Sequence, residues 1–215
     1  MQHLLVYALD RHLTRSIVLE TPTGERSAFS LNQGVPEKAK TSEPVIHLGR
    51  LLLETGAIDE ATLHRTLARV AKEKILHGKA LLDERVIDET TLAEALREQL
   101  CRKILWMATL PAETMYGYYE ASNFLERWGG SPVPAEPLAL IWRAIRGYET
   151  VARVEATLAR LTTGELRLHP EAKASHFKFQ ARDAVVIGVL RAKPQSRRAL
   201  IASVIADGPS ISFLP

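Results

Sequence analysis

The sequence predicts a helix-rich α+β fold, with a small antiparallel sheet body and an inserted four-helix tandem repeat. Three observations predict it. Short β-branched or alternating segments, separated by Pro/Gly turns, fill the first 45 residues. A 24-residue segment then recurs at an offset of 29. Beyond residue 137, apolar residues recur at helical spacing.

The composition agrees with a folded chain. Of the 215 residues, 46% are hydrophobic and 25% charged, enough to bury a core in one or two domains. The 12 glycines and 11 prolines show no period, which excludes fibrous classes. A single cysteine, Cys101, rules out an intrachain disulfide and fits a reducing cytoplasm. The net charge of +3 is too small an excess to point to nucleic acid. The first ten residues lack a basic leader region, and no stretch approaches the ~20 apolar residues of a membrane helix. The expectation is a cytoplasmic protein without membrane insertion.

Leu5, Leu9 and Leu13 share one face of a short first helix over 4–13. Ile17–Glu20 and Ser27–Leu31 read as strands around a Thr21–Glu25 turn, and Asn32-Gln33-Gly34 makes a second turn. Val35–Lys40, with Pro36 and its lysines, suits an edge strand. Residues 1–45 thus form a helix plus β-hairpin element.

Residues 46–108 hold the repeat. His47–Val70 aligns with Leu76–Gln99, and nine of 24 positions are identical, among them Gly49/Gly78, Leu52/Leu81, Asp59/Asp88 and Leu63/Leu92. In each copy a short helix ends in a turn. Asp59 or Asp88 then caps a second helix, whose leucines (63 and 67, or 92 and 96) share one face. Neither copy can bury its stripe alone, so the two should pack together. The last helix should run on from Asp88 to about Trp106.

Residues 109–215 read as an α+β part that forms one body with 1–45. Met115–Tyr119 is strand-like, with aromatics on both faces. Such a strand is a core element, the first choice here, or an interface through Tyr116 and Tyr118. Trp128–Pro134 reads as a linker and the internal boundary. Helices are expected from Pro137, over 150–161, over 184–191 and over 196–205, and strands over 165–168 and 176–179. The apolar run Ile211–Pro215 is unlike a natural terminus and suggests that the chain continues.

The repeat resembles the tandem motif in N-terminal domains of type II secretion and type IV pilus assembly ATPases, the MshEN type. Leu48, Gly49, Leu52, Leu63 and Leu67, then Gly78, Leu81, Leu92, Leu96 and Gln99, hold the register. The resemblance implies a four-helix unit that wraps cyclic di-GMP. Its ligand set here would be Gly49, Arg50, Leu52, Gly78, Lys79 and Gln99, with Arg50 and Lys79 standing in for the motif arginines. Those arginine positions hold His47 and Leu76, His77 replaces the second motif leucine, and Val70 replaces the first motif glutamine. Leucine cannot replace a guanidinium, so the first expectation is a retained scaffold without the ligand site.

The flanks resemble PATAN-type bacterial signalling domains, through Ile17-Val18-Leu19 and then Phe29–Ala39 with its Gly34 turn. This implies protein–protein interaction with another bacterial signalling or motor protein, in motility, pilus or developmental regulation. Homo-oligomerisation fits the same class.

No catalytic motif is present. The chain has no P-loop and no Gly-x-Ser-x-Gly, and the expectation is a non-catalytic module without a cofactor. Cys101 falls on an amphipathic helical pattern as a small buried hydrophobe. No two of the seven histidines sit at i, i+4, so surface or capping roles are expected rather than a metal site. The basic residues Arg182, Arg191, Lys193, Arg197 and Arg198 would make a helix-turn-helix of 184–205 a DNA-binding alternative. The second helix, however, is rich in alanine and poor in base readers.

Overall fold

The computed structural model describes residues 2–120, 122–148, 156, 159 and 164–207. The fold is α+β and helix-rich. The chain divides into two compact units, 1–145 and 146–215. Among the described residues, no helix is long and apolar enough to cross a membrane.

The first unit opens with α1 (Gln2–Asp10). Strands β1 (Arg15–Glu20), β2 (Arg26–Asn32), β3 (Val35–Lys40) and β4 (Met115–Tyr119) form one antiparallel sheet in the order β3-β2-β1-β4. β3 is an edge strand, as its proline and lysines predict. The β2–β3 turn presses on α1. Gly34 has φ +80°, and a Cβ there would lie 2.5 Å from Leu9 Cα, so only glycine fits.

Alternation sends Ile17, Leu19, Phe29, Leu31 and Ala39 into the core, all below 7% exposed. They pack with Leu5 and Ala8 of α1 and with Leu100, Ile104 and Leu105. The last three belong to α5 (Glu89–Met107), the final helix of the repeat. α6 (Pro137–Tyr148) closes this core with Leu140, Ile141 and Ala144.

Helices α2 (Leu48–Glu54), α3 (Glu60–Glu73), α4 (His77–Asp83) and α5 form the four-helix repeat. The expected caps are present. Thr62 N–H donates to Asp59 at 2.8 Å, and Thr91 N–H to Asp88 at 2.7 Å. Hydrogen bonds from Thr62 and Thr91 hold both carboxyls below their ordinary value. Gly56 at φ 71° and Arg85 at φ 55° make equivalent left-handed turns. Leu67 departs from expectation and is 43% exposed. The copies diverge at the next turn: α3 stops at a left-handed Lys74, whereas α5 continues under the sheet.

Four expectations need correction. β4 is not core. Met115, Tyr116, Tyr118 and Tyr119 are all exposed, because β4 is the outer edge strand. Trp128–Pro134 is not a boundary; the division falls after Ile145. This loop is tied to β3 by Val133 N–H to the Glu37 carbonyl and Ala135 N–H to the Pro36 carbonyl. Residues 165–168 make only an isolated bridge, Leu166 to Gln195. Residues 174–177 form a 3-10 turn, and Phe177 and Phe179 stack 5.1 Å apart instead of alternating along a strand.

The second unit contains a helical hairpin, α7 (Ala181–Ala192) and α8 (Arg197–Asp207). Gln180 and Asp183 form a capping box at the start of α7, and Arg146 reaches Asp183 at 3.1 Å. Most of the helix expected over 150–161, and the run 211–215, lie outside the described residues.

Candidate functional site

The two copies pack by exchange. α3 lies on α4, and α2 on α5, so each long helix covers the other copy's short one. The glycines allow this. A Cβ on Gly49 would lie 2.4 Å from Leu63 and 2.6 Å from His77; one on Gly78 would lie 3.0 Å from Leu92 and 3.6 Å from Leu48. At an offset of 29, His77 and Leu48 are counterparts, as are Leu92 and Leu63. Each copy's motif-leucine position, Leu48 or His77, therefore covers the other copy's glycine.

The charges follow the same exchange. Arg102 of α5 reaches Glu54 of α2 at 2.7 Å, and Arg69 of α3 reaches Asp83 of α4 at 3.2 Å. Arg69–Glu73 becomes Glu98–Arg102 in the second copy, with the signs reversed. Arg143 of α6 also binds Glu98, at 2.7 Å. Burial raises the Glu98 pKa, but the hydrogen bonds from Arg143 and Arg102 outweigh it and hold the carboxyl low.

His77 is neither a surface nor a capping histidine. It is half-buried, and its Nε2 lies 2.8 Å from Thr66 Oγ1, whose side chain is wholly buried. The Thr66 hydroxyl donates to the Thr62 carbonyl at 2.8 Å, so the imidazole Nε2–H is the donor to Oγ1. The counterparts of this pair, Leu48 in the first copy and Ala95 in the second, are apolar and share the repeat core. Burial lowers the His77 pKa from its ordinary 6.5. Unfolding therefore takes up a proton below about that value. The stability His77 contributes is full above pH 6.5 and is lost as the pH falls. The wild type should weaken in urea between about pH 7 and 5, a range above that of the depressed carboxylates. The His77→Leu variant should flatten this slope; an unchanged slope would contradict the assignment.

Beside the second copy lies a groove of about 460 Å³. α4 and α5 form its floor with Leu82, Leu92 and Leu96. β3 and the 128–133 loop form the facing wall with Trp128 and Val133. Lys38 fastens this wall by donating to the carbonyls of Leu125, Glu126 and Trp128 at 3.1–3.3 Å. Lys40 lies 4.5 Å over the Trp128 ring. Among the described residues, no such wall stands beside the first copy, and Leu67, the counterpart of Leu96, is exposed there.

Gly78, Lys79 and Gln99 all line the groove. Gly49, Arg50 and Leu52 do not. Gly49 and Leu52 are buried in the repeat, and Arg50 points to Glu54 at 3.7 Å. The Gln99 amide already donates to the Ile46 carbonyl at 2.8 Å. Lys103 lines the groove as well; it donates to the Ala39 carbonyl at 3.3 Å, and burial lowers its pKa. Among the described residues, neither Lys79 nor Lys103 makes an ion pair with a carboxylate. Glu37 and Glu89 supply the acidic lining.

Tyr116 and Tyr118 lie on β4, away from the groove lining. Arg197 and Arg198 open α8 in the second unit and are exposed. Of the six expected ligand residues, the groove brings together Gly78, Lys79 and Gln99 but not Gly49, Arg50 and Leu52.

Sequence reasoning missed Leu76 and Lys103 as groove residues; Trp128 stood only among the exposed aromatic candidates, with Tyr116, Tyr118, Tyr119 and Phe124. Leu76 carried a signal, because an apolar residue stands where a helix N-cap is wanted, and it is 54% exposed. The wall that carries Trp128 had no local signal, since its loop becomes a wall only through its tie to β3. No protein-family model, curated protein or solved structure matches the chain.

Proposed function

We propose that the chain is a non-catalytic signalling or scaffold module whose second-copy groove binds an apolar, acidic segment of another protein. One observation carries this: an apolar groove beside two lysines, Lys79 and Lys103, that have no carboxylate partner among the described residues. Leucines and Trp128 suit aliphatic or aromatic anchors, and the lysines suit Asp or Glu beside them. The resemblance of the flanks to PATAN-type domains supports a bacterial signalling or motor protein as the source of that segment.

Peptide display against the full chain tests this. Selected sequences should join apolar anchors to Asp or Glu. The Lys79→Glu variant, at an exposed site, should weaken them roughly tenfold or more. Selection of basic peptides, or affinities unchanged in Lys79→Glu, would overturn the proposal.

A second reading rests on Gly78, Lys79 and Gln99 sharing the groove, as the resemblance to MshEN-type repeats implies for a cyclic-di-GMP sensor. Isothermal titration with cyclic di-GMP, with cyclic di-AMP and GTP as controls, separates the two. The protein-segment reading expects no heat. Micromolar binding lost in Gln99→Ala would favour the nucleotide.

A further inference from the structure

We propose that two copies of this chain pair along β4, joining their four-stranded sheets into one eight-stranded sheet across a two-fold axis at Gly117. The two sheet edges differ. At β3, Pro36, Lys38 and Lys40 blunt the edge, and the 133–135 segment covers it through hydrogen bonds to Pro36 and Glu37. At β4, the run Met115–Tyr119 has neither charge nor proline. Among the described residues, none pairs with its outer backbone groups. An uncharged, open edge is a template for another strand.

The pattern of β4 selects a second copy as that strand. Met-Tyr-Gly-Tyr-Tyr is nearly symmetric about Gly117. Antiparallel pairing centred there sets Tyr116 against Tyr118 of the second copy, twice, on one face. On the other face Met115 meets Tyr119 of the second copy. Cross-strand aromatic pairs and sulfur–aromatic contacts are both favourable.

The flanking charges choose the register. Centred on Gly117, Glu120 lies opposite Thr114 of the second copy, so no like charges meet there. A slip that centres the pairing between Tyr116 and Gly117 would set Glu113 against Glu120 of the second copy.

The rings are already placed. The Tyr118 hydroxyl donates to the Thr14 carbonyl at 2.9 Å. Tyr119 packs edge-on to Phe124 at 4.9 Å and leans over Gly117. Rings held in place in the free chain lose little freedom on docking. Met115 and Tyr116 are 67% and 66% exposed, so the surface is open for pairing.

Sedimentation equilibrium of the full chain tests the pairing. The mass should rise from 23.9 kDa towards twice that value with concentration. The Tyr116→Lys variant, at a side chain that makes no hydrogen bond among the described residues, should need at least tenfold higher concentration to dimerise, with an unchanged circular dichroism spectrum. Mixing a Tyr116→Cys chain with a Tyr118→Cys chain should give disulfide-linked dimers faster than either alone. The proposal is overturned by a constant 23.9 kDa mass, by dimerisation unchanged in Tyr116→Lys, or by cross-links as fast in the single variants as in the mixture. None of these substitutions lies in the groove, so failure here leaves the peptide-binding proposal standing, and the reverse.

Discussion

Truncating Leu81 to alanine is expected to lower the unfolding free energy by about 2–5 kcal/mol, and Leu52→Ala should do the same. Both side chains are wholly buried, and they are counterparts in the two copies. Each is packed by residues of both copies, in a cluster that joins Leu51 and Ile58 to Ile87 and Ala95. Neither wall can collapse onto the lost volume without breaking the exchange. The double variant should cost less than the sum of the two, because neighbours that share a core are not additive. Urea titrations followed by circular dichroism read all three. A midpoint unmoved by Leu81→Ala would mean that the two copies do not share a core.

The motif glycines should respond unequally. Gly49→Ala is expected to destabilise by about 1–3 kcal/mol, the range for overpacking. Its Cβ would meet Leu63 at 2.4 Å and His77 at 2.6 Å, and His77 is held by Thr66. At Gly78 the nearest atoms are the two ends of Leu92, at 3.0 and 3.2 Å, which can give by a few tenths of an ångström. The helix gain from alanine is up to about 1 kcal/mol, so Gly78→Ala should be close to neutral. Equal losses at both sites would mean that the polar pair does not stiffen the first copy's seat. Combining Gly49→Ala with His77→Ala should recover part of the loss.

Much of the sheet and the repeat could be read from the sequence, because their signals are local. Pro22, Gly24 and Gly34 punctuate the strands, and Asp59 and Asp88 stand at caps their position predicts. The exchange between copies was visible only as the need for each stripe to be covered. That His77 would lie over Gly49 follows from packing, not from its own neighbours. The aromatic strand shows the limit. Hydrophobicity alone marks Met115–Tyr119 as core, and only the strand order places it on an edge. In the second unit, four-residue alternations were too short to outweigh the left-handed Lys178 and the stacked phenylalanines.

The groove could not be read locally, because three distant segments make it. α5 carries the second copy into the sheet core, β3 lies beside it, and Lys38 pins the 128–133 loop across the gap. The first copy has the same motif glycine and leucines but, among the described residues, no such wall. Function is therefore expected to reside on one side of a nearly symmetric repeat.

That asymmetry gives the most direct test. Positions 47 and 76 are counterparts, and only Leu76 lines the groove. A photo-cross-linking residue placed at each in turn, in the full chain with a display-selected acidic peptide, reads where the peptide docks. Capture from position 76 and not from 47 is the predicted result. Equal capture at both positions, or none at 76, would contradict a docking groove on the second copy's side alone.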